Sequence, residues 1–270
     1  NKSHSAAYGF LAYRTAWLSY YYPVEWAVAC MTIDAMDGNA KDKINTTLNA
    51  CKKRQIKVLA PDINKSNEGF SVEMLDKEKV IRYGLLGVSN VGSKVIQSLR
   101  KMVEIDGEFN SFENFLDRVF KNNDTLREII GLNDKGKFAN PFSKRNVEPL
   151  IKVGAFDSLE ENRFKLLNQY ADFRKDKGCE QLDETEYKLK YKLEYELEIL
   201  GSYVSQHPLD DEKVFPYIDL DLVPDDKKVK VAGIFKDIDR CKSKNNKVYY
   251  KLTIELKDGK LVKVTVFDKL

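Results

Sequence analysis

Histidine and paired cysteine are what this sequence most lacks. Only His4 and His207 are present, and Cys30, Cys51, Cys179 and Cys241 stand far apart with no CxxC pair. Zinc sites draw their ligands from closely spaced pairs, so the spacing argues against a zinc knuckle. Without a cationic start and apolar signal core, the cysteines are expected as reduced thiols and the chain as cytoplasmic. No long hydrophobic run occurs either. The longest, around Trp26 to Ile33, is far too short to span a bilayer, so no membrane partner is expected. There is also no excess of one charge: 45 Lys and Arg face 42 Asp and Glu, a net +3. A global basic field is therefore missing, and any polyanion surface must come from local clustering.

What is present is an ordinary globular composition spread over 270 residues, more than a usual single domain. From Ser5 to Cys30, helix formers and aromatics interrupted by Pro23 read as two helices. Asn39 to Arg54 places Ile44, Leu48 and Cys51 at helical spacing, with Lys41, Lys43, Lys52, Lys53 and Arg54 off the stripe. Ile56–Leu59, Gly69–Glu73 and Val80–Tyr83 are short β-rich runs that form a small sheet. Residues 84–160 return to helical patterns, with an irregular stretch near Gly131 to Pro141. Between Glu160 and Leu200 a densely charged segment carries Tyr187, Tyr191 and Tyr195 every four residues, which predicts one long helix. Beyond Pro208, Pro216 and Pro224 the pattern alternates at Val229, Val231 and Gly233, then Val248 to Ile254, then Leu261 to Val266, which predicts three strands. The expected units are 1–83, 84–160, 161–215 and 216–270, a multidomain α+β chain.

The sharpest local signal is Val88 to Ile96, where two apolar helices are expected to meet in a tight turn. Gly92 would let the backbone approach another surface, and amides at the start of the second helix would form an anion site. Asn90, Val91, Gly92, Ser93, Lys94 and Lys101 are the candidate residues for holding duplex phosphates without regard to base sequence. The spacing resembles a helix-hairpin-helix motif, with Asn90 where the motif usually has glycine; asparagine tolerates a left-handed backbone. An ordinary αα-corner would give the same pattern. A weaker second copy spans Arg145 to Asp157, with Gly154 in its turn, and is expected to be a structural partner more than a DNA contact.

Several blocks in order resemble one family, the C-family replicative polymerases (DNA polymerase III alpha subunits). They are NKSHSAAYGFLAYRTAWLSYYYPVEW at 1–26, KVLAPDINKS at 57–66, IRYGLLGVSNVG at 81–92, LIKVGAFDSL at 150–159, LGSYVSQHPLD at 200–210 and the strands from Val231 to Leu256. The resemblance covers nearly the whole chain. It implies a mostly α-helical fingers-like unit, tandem helix-hairpin-helix units and a partial β OB-fold, truncated at three of about five strands.

The resemblance also implies site roles. Ser3, His4 and Tyr8 match the nucleotide-facing opening motif, with Lys2 and Arg14 as phosphate partners. On the residues alone, His4 equally suits a helix cap and Tyr8 a core position. Lys242, Lys244 and Lys247 cluster on an expected hairpin tip that could meet single-stranded template; a soluble loop fits them too. The implied partners are duplex and single-stranded DNA, a deoxynucleoside triphosphate, other replisome subunits and a sliding clamp, the last through Gln169 to Phe173. Asp172 stands there where a docking peptide would be aliphatic. Polymerase chemistry needs clustered carboxylates around metal ions. Asp34, Asp37 and Asp42 surround Gly38 and Asn39, which reads as a helix-ending turn, so no cofactor is expected on this chain. Magnesium is expected in a palm outside it, and the chain alone is expected to be inactive. Opening on Asn1, inside a motif, the sequence reads as a piece of a longer DNA-directed DNA polymerase. The alternative is a stand-alone DNA-binding or replisome scaffold protein.

Overall fold

A computed structural model describes residues 2–37, 40–175, 189–210, 220–224, 226–243, 246–257 and 260–267. The side chains of Lys2 and Ser3, like residue Lys244, lie outside that description. The chain divides into two compact units, Asn1–Ser205 and Gln206–Leu270. The architecture is mixed α+β, as the patterning implied.

In the first unit, α1 (Lys2–Tyr21) and α2 (Pro23–Met36) meet at Pro23, whose fixed φ and missing N–H suit a first helical position. α2 packs on α3 (Ala40–Lys53) through Val24, Ala27 and Met31 against Ile44, Leu48 and Cys51. Burial pushes the Cys51 thiol up to about 11, which keeps it protonated and inert near neutral pH. Arg54 donates to the Ser19 carbonyl at 2.7 Å and places its charge at the C-terminal end of α1. Most of α1 nevertheless stays exposed, with Tyr8, Phe10, Leu11, Tyr13, Trp17 and Tyr20 on its surface.

The small sheet has the order β1-β3-β2, with β1 (Val58–Leu59) parallel and β2 (Ser71–Leu75) antiparallel to β3 (Glu78–Arg82). β2 and β3 are joined at Asp76 and Lys77, both with positive φ, the backbone twist that a two-residue hairpin requires. The APDINKS stretch then clamps the helical region. Asp62 Oδ1 accepts from the Asn64 and Lys65 amides, and the Asn64 side chain bonds both the amide and the carbonyl of Phe109. Arg100 donates to the Ile63 and Asn64 carbonyls from α4 (Ser93–Asp106).

Below that clamp, α5 (Phe112–Leu116) runs into a π-type turn at Asp117–Lys121 and then α6 (Asp124–Ile130). Phe109, Phe112, Phe115, Phe142 and Phe156 form one aromatic core cluster, with Phe115 at its centre. α7 (Lys144–Lys152) begins with a capping box between Ser143 and Asn146 and is followed by α8 (Arg163–Arg174). The single long helix predicted for residues 160–200 is not formed. α8 ends at Lys175, whose φ of +57° is left-handed, and α9 (Leu189–Leu200) is a separate helix. The tyrosine stripe is carried on α9 by Tyr191 and Tyr195; Tyr187 lies outside the described residues. Gln169–Phe173 is the last turn of α8. Tyr170 and Ala171 are buried there and Phe173 packs against Phe120, so docking this segment on a clamp would require that turn to unwind.

The second unit starts with a turn in which His207 Nδ1 accepts from the Leu209 amide and Asp210 accepts from the His207 amide. Its sheet is an antiparallel meander of β4 (Ile234–Lys242), β5 (Val248–Glu255) and β6 (Leu261–Phe267). The first strand lies later than the alternation at Val229, Val231 and Gly233 predicted. Pairing with the eight residues of β5 begins at Ile234 and absorbs a register shift between Phe235 and Asp237, which leaves 229–233 outside the ladder.

Candidate nucleic-acid interface

The hairpin at residues 85–106 is built differently from the sequence expectation on its first side. Only a 3-10 turn at Leu85–Gly87 precedes the loop, where an apolar helix was expected. Packing explains the difference. β3 extends to Arg82, a Cβ on Gly84 would lie 2.4 Å from the Gly69 backbone, and one on Gly87 would lie 2.7 Å from the Tyr83 ring. The chain is therefore pressed onto the sheet with no room for a helical turn. Burial pushes the Tyr83 phenol well above its ordinary range, which keeps the ring neutral as a core group.

On its second side the hairpin follows the pattern. Val95, Ile96, Leu99 and Met102 of α4 are buried, and Ser93, Lys94, Gln97 and Lys101 are left exposed. Lys101 stands two turns below Lys94 on that outer side, about 10 Å along the axis. The left-handed residue of the turn is Asn90, at φ +66°, and Gly92 is extended at φ −92° and ψ 163°. Gly92 is thus not required by backbone conformation. It is the N-cap of α4 without a side-chain cap, and a Cβ there would meet nothing within 4 Å. Of the six predicted residues, Val91 is core, buried at 4% exposure, so only its backbone can face a ligand. The other five, Asn90, Gly92, Ser93, Lys94 and Lys101, reach the surface of one hairpin.

A groove of about 510 Å³ opens beside this turn, lined by Ser89, Asn90, Gly92, Asp37, Lys41 and Arg145 among others. Its floor is fixed by Ser89, whose hydroxyl donates to the Ile199 carbonyl at 2.7 Å. Arg145, on the first turn of α7, donates from Nε to Asn90 Oδ1 at 3.2 Å. Local sequence marks neither Arg145 nor Lys41 for the first hairpin, because the two lie 55 and 49 positions from Asn90 and nothing along the chain records which residues pack together.

The turn of the second copy is packed inward. Gly154 takes φ +83°, and a Cβ there would lie 2.2 Å from Arg163 and 2.5 Å from Asp157. That space is filled by a buried ion network. Arg163, 2% exposed, donates to Asp157 at 2.7 Å and to the Lys152 carbonyl at 2.9 Å, and lies 3.7 Å from Glu196. The Ile63 amide donates to the Ala155 carbonyl at 2.7 Å and ties this turn to the clamp beneath α4.

The other predicted sites lie apart. His4 and Tyr8 meet on exposed α1 as tilted rings with centroids 4.4 Å apart, and Arg14 stands over Phe10 at 4.9 Å. Tyr8, at 61% exposure, is not a core residue. Lys242 and Lys247 are exposed at the β4–β5 hairpin tip, closed by the Ser243 amide donating to the Lys247 carbonyl. Among the described residues no three His, Cys, Asp or Glu side chains converge on a metal position, and Asp37 is paired with Lys43 at 2.7 Å. No helix among the described residues is long and apolar enough to cross a membrane.

A family model described as a helix-hairpin-helix motif matches residues 55–166, which includes both hairpins and the sheet between α3 and α4. The chain is similar to the DNA polymerase III subunit alpha of Saccharopolyspora erythraea, 35% identical across 100% of this chain and 24% of the relative. It is 32% identical to that of Mycobacterium tuberculosis across 91% of this chain, and 32% identical to that of Campylobacter jejuni across 94%, each match spanning 22% of the relative. The chain thus spans about a quarter of the length of these relatives. Six polymerase-like blocks in order, a matching hairpin region and identity along the whole sequence lead to one conclusion: by sequence, this chain is similar to one stretch of the DNA polymerase III alpha subunits.

Proposed function

We propose that this chain is a DNA-handling part of a DNA-directed DNA polymerase, which grips duplex phosphates through the first hairpin and faces the incoming nucleotide with α1. The observation that carries the reading is the turn at Asn90 to Lys94. Asn90 supplies the left-handed residue, Gly92 leaves open space above an uncapped helix start, and Lys94 stands exposed beside it. Amides at such a start favour an anion, and a phosphate oxygen needs the close approach that a missing Cβ permits. Nothing in this contact reads a base, so binding would be indifferent to sequence.

Gly92→Val tests this directly. Because the position is extended and empty, the fold should lose no more than the roughly 1 kcal/mol of a poorer N-cap. Duplex affinity should fall about ten- to a hundredfold, corresponding to one charge-assisted hydrogen bond of ~1.5–3 kcal/mol. Fluorescence anisotropy alongside a thermal melt measures both. Equal affinity for wild type and variant would reduce the hairpin to a structural corner.

Ser3, His4 and Tyr8, with Lys2 and Arg14, are proposed to meet the nucleotide: His4 as a donor to phosphate oxygen, Tyr8 as a flat face for base or sugar. The exposure of His4, Tyr8 and Arg14 on α1, together with the bare aromatic surface around them, supports a role at a boundary with another part of a polymerase. In a full-length polymerase carrying this chain, Tyr8→Ala should lower kcat/KM for nucleotide by about 5- to 150-fold, the range of ~1–3 kcal/mol for a lost stacking face. DNA affinity should stay within twofold. Steady-state kinetics with unchanged nucleotide dependence would remove Tyr8 from the site. Lys242 and Lys247, with Lys244 between them in sequence, are proposed to meet single-stranded template. The metal ions of catalysis would be held by carboxylates elsewhere in such an enzyme.

A further inference from the structure

We infer that Arg145 is a second phosphate ligand of the first hairpin turn, so that its anion site is assembled from both hairpins; this rests on the reading of that turn given above. Three observations carry it. Arg145 lies on α7, in the second hairpin, yet its Nε donates to Asn90 Oδ1 at 3.2 Å, at the one left-handed residue of the first turn. That bond uses a single donor of the guanidinium and leaves the two terminal amino groups of the fork for a ligand. Arg145 is exposed and lines the same groove as Ser89, Asn90 and Gly92.

The surrounding charges are already engaged, which sets Arg145 apart. Lys41, also on the groove, donates to the Glu198 carbonyl at 2.8 Å. Asp37, the groove's carboxylate, is bonded by Lys43 at 2.7 Å, and Glu148, one turn along α7 from Arg145, is paired with Lys144 at 3.6 Å. Among the described residues, Arg145 and Lys94 are the exposed cations of this turn whose side chains bond neither a carboxylate nor a main-chain carbonyl. A planar guanidinium fits two phosphate oxygens at once, and one already oriented by Asn90 loses less freedom on binding. The ligand this geometry fits is a phosphodiester of duplex DNA lying across the turn, between the start of α4 and the start of α7.

The test is fluorescence anisotropy of the whole chain with unrelated duplexes over a salt series, for wild type, Lys94→Ala, Arg145→Ala, Arg145→Lys, the alanine double variant and Asn90→Ala. Arg145→Ala should reduce the slope of log K against log salt by about 0.9 and weaken binding about eightfold at 0.1 M salt, as expected for one lost phosphate contact. The double variant should lose twice that slope. Arg145→Lys, which keeps the charge, should keep the slope. Wild type that binds without salt sensitivity would overturn the duplex reading itself. Wild type that binds, with a Lys94→Ala effect but no change of slope for Arg145→Ala, would overturn only this inference. So would an Arg145→Lys as weak as Arg145→Ala together with an equal loss for Asn90→Ala, since Arg145 would then act by shaping the turn.

Discussion

Arg163→Ala is expected to destabilise the first unit by about 3–5 kcal/mol, the loss that follows when one partner of a buried ion network is removed. The guanidinium is 2% exposed and Glu196 is fully buried at 0%. Glu196 Oε2 already accepts from the Val204 and Ser205 amides at 2.8 and 3.0 Å, so its remaining negative charge faces Arg163 alone among the cations of the described network. Without the arginine, a carboxylate stays buried and uncompensated, and the space beside Gly154 empties. Urea denaturation of wild type, Arg163→Ala and the double variant Arg163→Met/Glu196→Gln separates the causes. The double variant should recover much of the loss, because replacing both charges by groups of similar shape removes the uncompensated carboxylate. A loss below about 1 kcal/mol for Arg163→Ala would mean that this network is not what holds the second hairpin to α9.

Phe115→Ala should be of similar size, about 3–5 kcal/mol, for an apolar reason. Its ring centroid lies 4.9 Å from that of Phe156, 5.4 Å from Phe109, 5.9 Å from Phe112 and 6.0 Å from Phe142. Four rings supplied by α5, the segment before it, the α7 lead-in and the second hairpin cannot collapse together onto an alanine, so a cavity remains. Phe235→Ala, at a site 57% exposed on β4, should stay within about 0.5 kcal/mol in the same assay. If the two substitutions cost the same, the aromatic cluster would not be the core of the hairpin region.

Both predictions concern the scaffold, and they bear on the candidate interface through it. The clamp formed by Asn64, Ile63 and Arg100 fixes α4 against the sheet, and the Ile63–Ala155 bond ties the second hairpin to the same clamp. Loss of Arg163 or Phe115 should therefore also loosen the register of Arg145 over Asn90. The duplex affinity of these variants should fall with their stability, whereas Gly92→Val should lower affinity with little change in stability.

By itself the sequence determined what depends on near neighbours. Pro23 starts α2 because its ring fits a first helical position. The apolar spacing of Val95, Ile96, Leu99 and Met102 makes α4, and it leaves Lys94 and Lys101 outside by periodicity alone. Asn90 takes the left-handed position because a short polar side chain tolerates it. The alternation at 248–254 and 261–266 gives two strands of the meander. The family resemblance was also legible, since ordered blocks keep their sequence whatever their packing. The remaining features depend on residues distant in sequence. The space beside Gly69 and Tyr83 reduces the expected first helix of the hairpin to a 3-10 turn. Lys175 ends α8 and divides the long helix that charge and tyrosine spacing suggested. Arg163 and Arg145 look alike in the sequence, as arginines near the start of a helix. One is enclosed with Asp157 and Glu196 and becomes part of the core, and the other is set over Asn90 with its fork toward solvent. That difference is fixed by which elements pack beside each, and local sequence carries no record of it.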